Sequence, residues 1–356
     1  MKQIILLYPT ENDPQTIILY EEILNKGGKA HLEPFKIPDK KDGSSISFDG
    51  KNLKIGSNLY DNIGAVYLRN VAVDTPTNIP GYTNAFEHAV WRAKFIKENY
   101  KVSAISGILS VLQSKGVLIA NPIDTYFHHN TKANFFIDLA NRKYSVPNTF
   151  ATNDMAYVSD SYEKRRLIMK SMSGVGATRI VKKEHLERAR DLSECPALFQ
   201  DKIEGYTARV HTVGNKAVLT LKILADDIDS RSDTAGFEVM ELDKKAEKQI
   251  VEINKKIGLH FSAWDAIIDN NGDAFLLDCN SGPYIGWIGN YYMRLVQSEL
   301  AKYLIAYADS GSIEIAENSV NYAKPNVNTF KKIDKSILPI VHDIVHNRKK
   351  EQRHRH

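Results

Sequence analysis

The chain has 356 residues, of which 43% are hydrophobic and 25% are charged. These values are typical of a globular protein, and the length predicts two or three subdomains. The formal net charge is only +4, and part of the excess lies in the basic tail at residues 347–356, where no aromatic side chain alternates with the charges. We therefore expect no nucleic-acid partner.

The sequence also predicts a compartment. No apolar run approaches the ~20 residues that a membrane helix needs, so we expect no membrane partner. The first nine residues lack a signal-peptide cleavage site and predict a β-strand. The two cysteines, Cys195 and Cys279, are too few for a disulfide framework, which favours a reducing, cytoplasmic location.

Residues 1–122 predict an N-terminal α/β domain. We expect strands at residues 4–8, 30–35, 65–70 and 117–120, a hairpin at 46–55, and helices at 14–26, 84–99 and 102–114. Gly27 and Gly28 follow the first helix, where glycine commonly ends a helix.

Residues 123–203 predict a second domain in which two lysines lie near a small-residue loop. A helix at 130–141 carries Lys132, and a strand at 167–170 ends in Lys170 just before the loop at 171–178. Backbone N–H groups in such a loop can bind phosphates, and a lysine beside it neutralises their charge. The loop lacks the Walker spacing, so an ordinary flexible loop and a surface lysine remain the alternatives. A further strand is expected at 197–203.

Residues 204–308 predict a third domain, with strands at 209–213 and 217–224, a helix at 243–257 and a closing helix at 291–307. Residues 309–330 show little periodicity and predict a linker. A short helix broken at Pro339 is expected at 330–346, before the basic tail.

Two apolar runs in the third domain predict a β-hairpin joined by an Asn-Asn-Gly turn at 270–272. Asp265 lies in the first run, and Asp278 and Asn280 lie in the second. Because residues i and i+2 of a strand share a face, Asp278 and Asn280 project together, and Asp265 can meet them. Three hard oxygen ligands suit Mg²⁺ that also binds phosphate oxygens. The alternative is a plain hairpin with a polar outer face.

The order of these features resembles the ATP-grasp superfamily across roughly residues 1 to 305. Within it, several motifs are similar to the ligases that add glutamate to a ribosomal protein (RimK-like) and to the peptide-macrocyclising ligases of microviridin-type graspetides. The motifs are Asn130-Thr-Lys132 with residues 146–153, Val66-Tyr-Leu-Arg69, and Asn280-Ser-Gly-Pro-Tyr-Ile-Gly-Trp287-Ile. The resemblance implies an ATP-grasp fold: an N-terminal α/β domain at 1–122 precedes two α+β subdomains, at 123–203 and 204–308, that enclose ATP.

The resemblance also implies roles for single residues. The predicted nucleotide-binding residues are Lys132, Met169, Lys170, Ser173, Gly174, Gly176, Gln200, Asp201, Lys202, Ile203, Glu204 and Leu277. Among them, the lysines at 132 and 170 would bind phosphates, the backbone edge of 200–203 would bind adenine, Asp201 or Glu204 would hold adenine or ribose groups, and Met169 with Leu277 would cover the base.

The remaining implied roles concern catalysis, metal and acceptor. Arg209 and Arg231 would contact the γ-phosphate and the acyl phosphate. The predicted magnesium ligands are Asp265, Asp278 and Asn280, and the predicted substrate contacts are Arg69, Ser281 and Gly282. The chain departs from the family pattern where Asp278 replaces a common Glu, where Thr207 replaces an Asp, and in lacking consecutive glycines in the nucleotide loop.

The implied activity is an ATP- and Mg²⁺-dependent ligation through an acyl phosphate, joining Asp or Glu side chains of a ribosomal precursor peptide to Thr, Ser or Lys side chains. The expected partners are a precursor with a leader segment, or a small amino-acid-like acceptor, and a second copy of the chain. Residues 184–193 predict either a leader-docking helix or a solvated helix. The alternatives are a RimK-like ligase that adds an amino acid to a small molecule or a protein terminus, a small-molecule kinase, and an inactive nucleotide-binding module.

Overall fold

The computed structural model describes residues 1–8, 13–34, 45–69, 85–126, 128, 131–172, 178–187, 196–224, 236–322 and 331–332. The chain divides into two compact units. The first comprises Met1–Ile123 with Leu300–Ser319, and the second comprises Asp124–Glu299 with Val320–His356.

The first unit is built around a parallel sheet. Its elements, in chain order, are β1 (Gln3–Tyr8), α1 (Pro14–Asn25), β2 (Lys29–Pro34), β3 (Ile46–Phe48), β4 (Leu53–Ile55), β5 (Asn58–Tyr60), β6 (Ile63–Leu68), α2 (Ala85–Ser114) and β7 (Leu118–Ala120). The parallel strands follow the order β2-β1-β6-β7, and β3-β4-β5 form a separate antiparallel sheet. Strands β1 and β6 are continuous apolar runs because both of their faces are buried.

The second unit contains most of the remaining elements. In chain order these are α3 (Lys132–Asn141), β8 (Thr149–Thr152), α4 (Met155–Lys164), β9 (Leu167–Lys170), β10 (Arg179–Ile180), α5 (Lys183–Glu187), β11 (Ala197–Asp201), β12 (Tyr206–Val213), β13 (Lys216–Leu224), β14 (Gly236–Met240), α6 (Lys244–Ile257), β15 (Phe261–Ile268), β16 (Ala274–Asn280), α7 (Gly289–Ser310), α8 (Ile313–Ser319) and β17 (Lys331–Lys332). Helix α7 ends in the first unit, to which α8 also belongs. Single 3₁₀ turns occur at Ile123–Tyr126 and Gly286–Ile288.

Two sheets organise the second unit. The smaller has the order β10-β9-β11-β8, and the larger has the order β16-β15-β12-β13-β14-β17. Helices α3 and α6 pack on one face of the larger sheet, where apolar side chains surround the fully buried Trp264. The indole of Trp264 donates to Asn254 Oδ1 over 2.8 Å, and Asn254 donates to Thr212 Oγ1 over 2.9 Å. These bonds fix α6 against β12 and β15, which leaves the other face of the sheet to carry the site.

The fold class predicted from the sequence, mixed α/β with several sheets, is confirmed. The hairpin at 46–55 is confirmed and gains a third strand, β5. The helical pattern predicted at 84–99 and continued at 102–114 forms the single helix α2, and residues 100 and 101 between the two stretches include neither Gly nor Pro. The predicted domain boundaries at 122, 203 and 308 stay predictions.

Several element predictions are wrong. Strands β8 and β14 and helix α4 were not predicted, and helix α8 lies within the predicted linker at 309–330. Strand β17 stands where the helix at 330–346 was expected to begin, and the rest of that helix lies outside the described residues. Of the helices that the structure describes, none is long and apolar enough to cross a membrane.

Candidate nucleotide and metal site

The hairpin of β15 and β16 forms the floor of the candidate site. Its turn is closed by backbone hydrogen bonds from Asp269 N to Asp273 O and from Gly272 N to Asp269 O, each 3.0 Å long. Gly272 has a φ of 83°, a conformation that side chains with a Cβ adopt rarely. The predicted hairpin and its Asn-Asn-Gly turn are therefore confirmed.

The register of this hairpin brings acidic side chains together. Asp265 lies opposite Asp278, and Ala263 lies opposite Asn280. A β-bulge after Asp265 adds Leu277 to β16 as an extra residue, so Leu276 still faces the core while Asp278 faces Asp265. Two carboxylates and one amide thus share the face of the sheet that turns away from α6.

Each carboxylate has a cationic neighbour. Lys132 Nζ lies 2.9 Å from Asp278 Oδ2, and Arg209 Nε lies 3.6 Å from Asp265 Oδ1. Burial raises the pKa of the Asp265 carboxyl, the Arg209 charge opposes this rise, and Asp278 adds to it. The acidic pair therefore carries unfavourable electrostatic energy that a bound cation would relieve.

Two lysines from distant parts of the sequence reach strand β16. Lys132 is the first residue of α3 and is nearly buried, whereas Lys170 ends β9. Lys170 Nζ donates to the backbone carbonyl of Leu277 over 3.2 Å. The two ammonium groups thus bind adjacent residues of one strand, which places positive charge beside the two carboxylates.

Arg209 links this cluster to the segment that follows β16. It lies on β12 opposite Asp265, and its guanidinium carbon is 5.5 Å from the centre of the Trp287 ring. Cation–π contact of this kind fixes the orientation of a guanidinium group. Trp287 occurs in the motif that carried the resemblance, but the sequence analysis assigned it no role. The signal that could have identified Trp287 is an aromatic residue only a few positions after the β15–β16 hairpin.

The residues present fit a magnesium ion that also binds phosphates. Within the described ranges, no group of three or more His, Cys, Asp or Glu side chains is placed to hold a metal without other ligands. Asp265, Asp278 and Asn280 supply hard oxygen atoms on one face, and Mg²⁺ commonly combines one or two carboxylates with substrate phosphates. The predicted ligand set therefore stays a prediction that this geometry supports.

The predicted adenine edge must be moved along the chain. Gln200 and Asp201 lie in β11, which is the strand between β8 and β9. The backbone groups of Gln200 and Asp201 are hydrogen-bonded to the chain on both sides. The Gln200 side chain is fully buried and donates a hydrogen bond to Thr149 Oγ1 over 3.1 Å. Asp201 Oδ1 forms an ion pair with Arg165 Nε at 3.2 Å. Gln200 therefore cannot offer a backbone edge to a base. The backbone N–H of Lys202 donates to the carbonyl of Arg166, and Ile203 lies beyond the end of β11, so the adenine edge predicted for 202–203 stays a prediction.

The predicted role of Met169 in covering the base stays a prediction. Met169 packs with Leu167 and Phe199 against the core beneath α4. Because side chains alternate along a strand, Ile168 and not Met169 shares the face of Lys170. The backbone carbonyl of Leu277 accepts a hydrogen bond from Lys170, and the predicted role of Leu277 in covering the base stays a prediction.

Other predicted residues are placed as follows. Glu204 is exposed and binds the ammonium of Lys202, which holds the pKa of the Glu204 carboxyl below its usual range. Ser281 is buried and Gly282 is half-buried directly after β16. Arg69 belongs to the first unit, where its Nε donates to Asp13 Oδ2 over 3.1 Å. Since that carboxylate also caps α1, the position of Arg69 is fixed within its own unit.

Some predicted residues lie outside the described residues. They are Ser173, Gly174 and Gly176 of the loop and the second arginine, Arg231. The predicted leader-docking segment at 184–193 is described only through α5, which is five residues long and exposed or half-buried throughout.

Comparison with known proteins settles the fold of this site. Residues 129–281 match a family model described as an ATP-grasp domain. This part of the chain has the ATP-grasp fold. The matched range covers α3 with Lys132, strand β9 with Lys170, and the β15–β16 hairpin, so the predicted ATP-grasp fold is confirmed.

Three solved structures have the same ATP-grasp fold. The ATP-grasp ligase PsnB, complexed with a variant of its minimal precursor, Mg and ADP, has a TM-score of 0.72 and 20% identity over 86% of this chain and 98% of PsnB. The macrocyclase MdnC of Microcystis aeruginosa, bound to the precursor peptide MdnA, has a TM-score of 0.68 and 19% identity over 85% and 99%. A RiPP-associated ATP-grasp ligase of Chryseobacterium gregarium, with ADP and a leader and core peptide, has a TM-score of 0.67 and 18% identity over 92% and 100%.

Curated relatives match more weakly. The tRNA/tmRNA (uracil-C(5))-methyltransferases of Salmonella typhi and Salmonella dublin are 21% identical over 202 residues, which are 55% of this chain and 53% of each relative. The chain thus spans about half the length of the curated relatives that it matches. The ATP-grasp domain, and not this partial likeness, accounts for the geometry of the site.

Proposed function

We propose that the protein is an ADP-forming ATP-grasp ligase that macrocyclises a ribosomally made precursor peptide. The observation that carries this proposal is a cluster of charges on β15 and β16. Lys132 and Arg209 pair with the facing carboxylates of Asp278 and Asp265, and Lys170 binds the backbone carbonyl next to Asp278. Cations alternate with acidic metal ligands in this cluster, as a site for a magnesium–polyphosphate complex requires.

The proposed reaction has two transfers. A carboxylate oxygen of the peptide attacks the γ-phosphorus of ATP, the bond to the β–γ bridging oxygen breaks, and ADP leaves. A hydroxyl or amine of the same peptide then attacks the acyl carbon, loses its proton and displaces phosphate, which gives an ester or an amide. Magnesium, when bound, would neutralise charge on the β- and γ-phosphate oxygens.

The chain's own residues bind and neutralise these groups. Lys132 and Lys170 hold the phosphate chain, and Asp265, Asp278 and Asn280 would hold the metal. Arg209, oriented by Trp287, neutralises the transferred phosphoryl group and the acyl phosphate. In phosphoryl transfer, most of the rate acceleration comes from such positioning and charge stabilisation.

The binding of ligands requires a change of partners at Asp278. Its carboxylate pairs with Lys132 in the structure, but in the proposed complex the same carboxylate binds metal and Lys132 binds phosphate. The incoming nucleotide supplies both new partners at once, because its phosphates attract the ammonium group and carry the metal. We infer that nucleotide and metal bind cooperatively.

The peptide substrate is proposed from two kinds of support. The solved ligases of the same fold include complexes with precursor, leader and core peptides. The segment Asn280 to Ile288 of this chain, which carried the sequence resemblance to macrocyclising ligases, places Trp287 against Arg209. On this proposal the partner is a precursor with a leader segment, the nucleophile is a Thr, Ser or Lys side chain, and the enzyme acts in the cytoplasm without nucleic acid or membrane.

Intact mass spectrometry tests the function. Candidate precursor peptides are incubated with the protein, ATP and Mg²⁺, with Asp278→Asn as the matched control. A loss of one water per bond, with one ADP formed per bond, is expected for the wild type and not for the variant. A mass gain of one amino acid would favour the amino-acid-adding ligase, and a gain of one phosphoryl group without bond formation would favour a kinase. ADP formation without any change of peptide mass would contradict the peptide as substrate.

A further inference from the structure

His211 lies on the face of the larger sheet that turns away from α6, and the mechanism proposed above does not use it. On β12 it is two residues from Arg209, so the two side chains project from the same face. The His211 side chain is fully buried, with an exposed fraction of 0%. A buried imidazole beside a guanidinium group needs a physical explanation, because both groups lose their hydration there.

The strand register places His211 in a polar patch of two rows. The rows cross β16, β15 and β12, and they consist of Asp278, Asp265 and Arg209 in the first and of Asn280, Ala263 and His211 in the second. Neighbouring strands are about 4.8 Å apart, so roughly 10 Å separates His211 from Asn280, across the short side chain of Ala263. His211 therefore belongs to the patch that carries the predicted metal ligands and not to the apolar core around Trp264.

Three buried nitrogen atoms of this patch lack a hydrogen-bond partner among the residues that the structure describes. They are Arg209 Nε and the two ring nitrogens of His211. Asp265 Oδ1 is 3.6 Å from Arg209 Nε, which is close enough for an ion pair but too long for a hydrogen bond. Buried polar groups of folded proteins are almost always paired with protein or with ordered water, so these atoms point to a water molecule within the patch.

The chemistry of the His211 ring determines how such a water would be held. Burial lowers the pKa of His211 to about 3, so the imidazole is neutral and has one N–H donor and one acceptor nitrogen. The backbone carbonyl of Leu219, directly opposite on β13, lies near the ring and favours an N–H directed towards it. The other ring nitrogen is then an acceptor, whereas Arg209 Nε can only donate.

We propose that one buried water molecule joins Arg209 Nε to His211, and that His211 thereby positions the guanidinium group for phosphoryl transfer. Side chains at i and i+2 of a strand start about 6.6 Å apart, and a water with two hydrogen bonds of about 2.8 Å spans a gap of nearly this size. The water accepts from Arg209 Nε and donates to the acceptor nitrogen of His211. The positioning role rests on the function proposed above, but the bridge itself does not.

The bridge would fix the one direction that the other contacts of Arg209 leave open. Trp287 contacts the guanidinium group with its ring, and Asp265 attracts its charge from β15. A hydrogen bond at Nε also sets the rotation of the planar group, and with it the direction of the Nη atoms that bind a phosphoryl group in pairs. A neutral partner suits this task, because it orients Arg209 without neutralising the charge that the transferred phosphoryl group needs.

Ligation kinetics of the full chain test the positioning role. His211→Leu removes both ring nitrogens and should lower kcat about tenfold, as loss of one hydrogen bond to a charged group does, with little change in peptide KM or ADP affinity. His211→Gln keeps a donor and an acceptor and should retain most of kcat. Thr220→Val is the matched control. The Thr220 hydroxyl is also buried without a partner among the described residues, but Thr220 lies opposite Val210, on the face towards α6, so kcat should not change.

Nitrogen-15 NMR of the arginine-labelled protein tests the bridge without reference to ligase activity. The Arg209 Nε–H signal, assigned by its loss in Arg209→Met, should exchange slowly with solvent in the wild type and in His211→Gln, and at least about tenfold faster in His211→Leu. This pattern in a protein that forms no peptide product would contradict the proposed function and still support the bridge. An unchanged Nε–H signal in His211→Leu overturns the proposal, as does an unchanged kcat. Equal losses of kcat in His211→Leu and His211→Gln, together with lower stability in urea, would assign His211 a packing role and also overturn it.

Discussion

Lys132 is expected to compete with a metal ion for Asp278 when no nucleotide is bound. The two groups are 2.9 Å apart, and their side chains are 10% and 24% exposed. Hydrogen bonds between charged groups contribute about 1.5–3 kcal/mol, which corresponds to roughly a 10- to 100-fold change in an equilibrium constant. The substitution Lys132→Met removes this competitor while it keeps much of the side-chain length. It should therefore raise the affinity of the nucleotide-free protein for Mn²⁺, used as a spectroscopic substitute for Mg²⁺, by about tenfold or more.

The same substitution should weaken binding of the nucleotide by at least a similar factor, because Lys132 then no longer neutralises a phosphate. Electron paramagnetic resonance titration measures free Mn²⁺, and calorimetry with ADP measures the nucleotide. Lys182→Met is the matched control, since Lys182 pairs only loosely with Glu184, at 3.9 Å, on an exposed surface. If Lys132→Met leaves the affinity for Mn²⁺ unchanged or lowers it, the inferred exchange of partners at Asp278 is refuted.

Three further predictions concern other parts of the second unit. Arg209→Met should lower the rate of ligation about 100-fold or more with little change in ADP affinity, and Trp287→Leu should have a smaller effect in the same direction, as measured by mass spectrometry of the peptide product. Asn254→Leu should lower the free energy of unfolding, measured in urea, by roughly 2–4 kcal/mol, because Trp264 Nε1 and Thr212 Oγ1 both lose a buried hydrogen-bond partner. A decrease below about 1 kcal/mol would mean that this hydrogen-bond network contributes little to the stability of the fold. Burial, with a smaller contribution from the Arg209 charge, lowers the pKa of His211 to about 3 in the folded protein. The unfolded chain has a His211 pKa near 6.5, so the folded state is not penalised by protonation above pH 6.5 and loses stability as the pH falls from 6.5 towards 3. Compared with the wild type, His211→Phe should lose roughly 2 kcal/mol less stability between pH 7 and pH 5, and an identical pH dependence for both proteins would contradict this origin.

The sequence was sufficient for features that depend on short-range patterns. The β15–β16 hairpin follows from two apolar runs and a glycine turn, and the shared face of Asp278 and Asn280 follows from the alternation of a strand. The strand that ends in Lys170 was predicted for the same reason. In each case the residues that decide the structure lie within a few positions of one another.

Features that depend on register or on distant contacts were not predictable in this way. Lys132 and Asp278 are 146 residues apart, and nothing in the local pattern states that they pair. The sequence Leu-Ile-Met-Lys is apolar at each of its first three positions, so only packing against Phe199 shows which side of this strand is buried. Strand β8 was missed because its four residues, Thr-Phe-Ala-Thr, are too short for a clear alternation.

A β-bulge at Leu277 sets the position of the Asp278 carboxylate. In a strand without this extra residue, Asp278 would lie on the same face as Leu276 and point towards the core, away from Asp265. The extra residue, Leu277, bends β16, aligns Asp278 with Asp265, and presents its own carbonyl to Lys170. One local irregularity thus positions a carboxylate and a lysine together. The backbone of β16 therefore sets the positions of these charged groups as much as the identity of its side chains does.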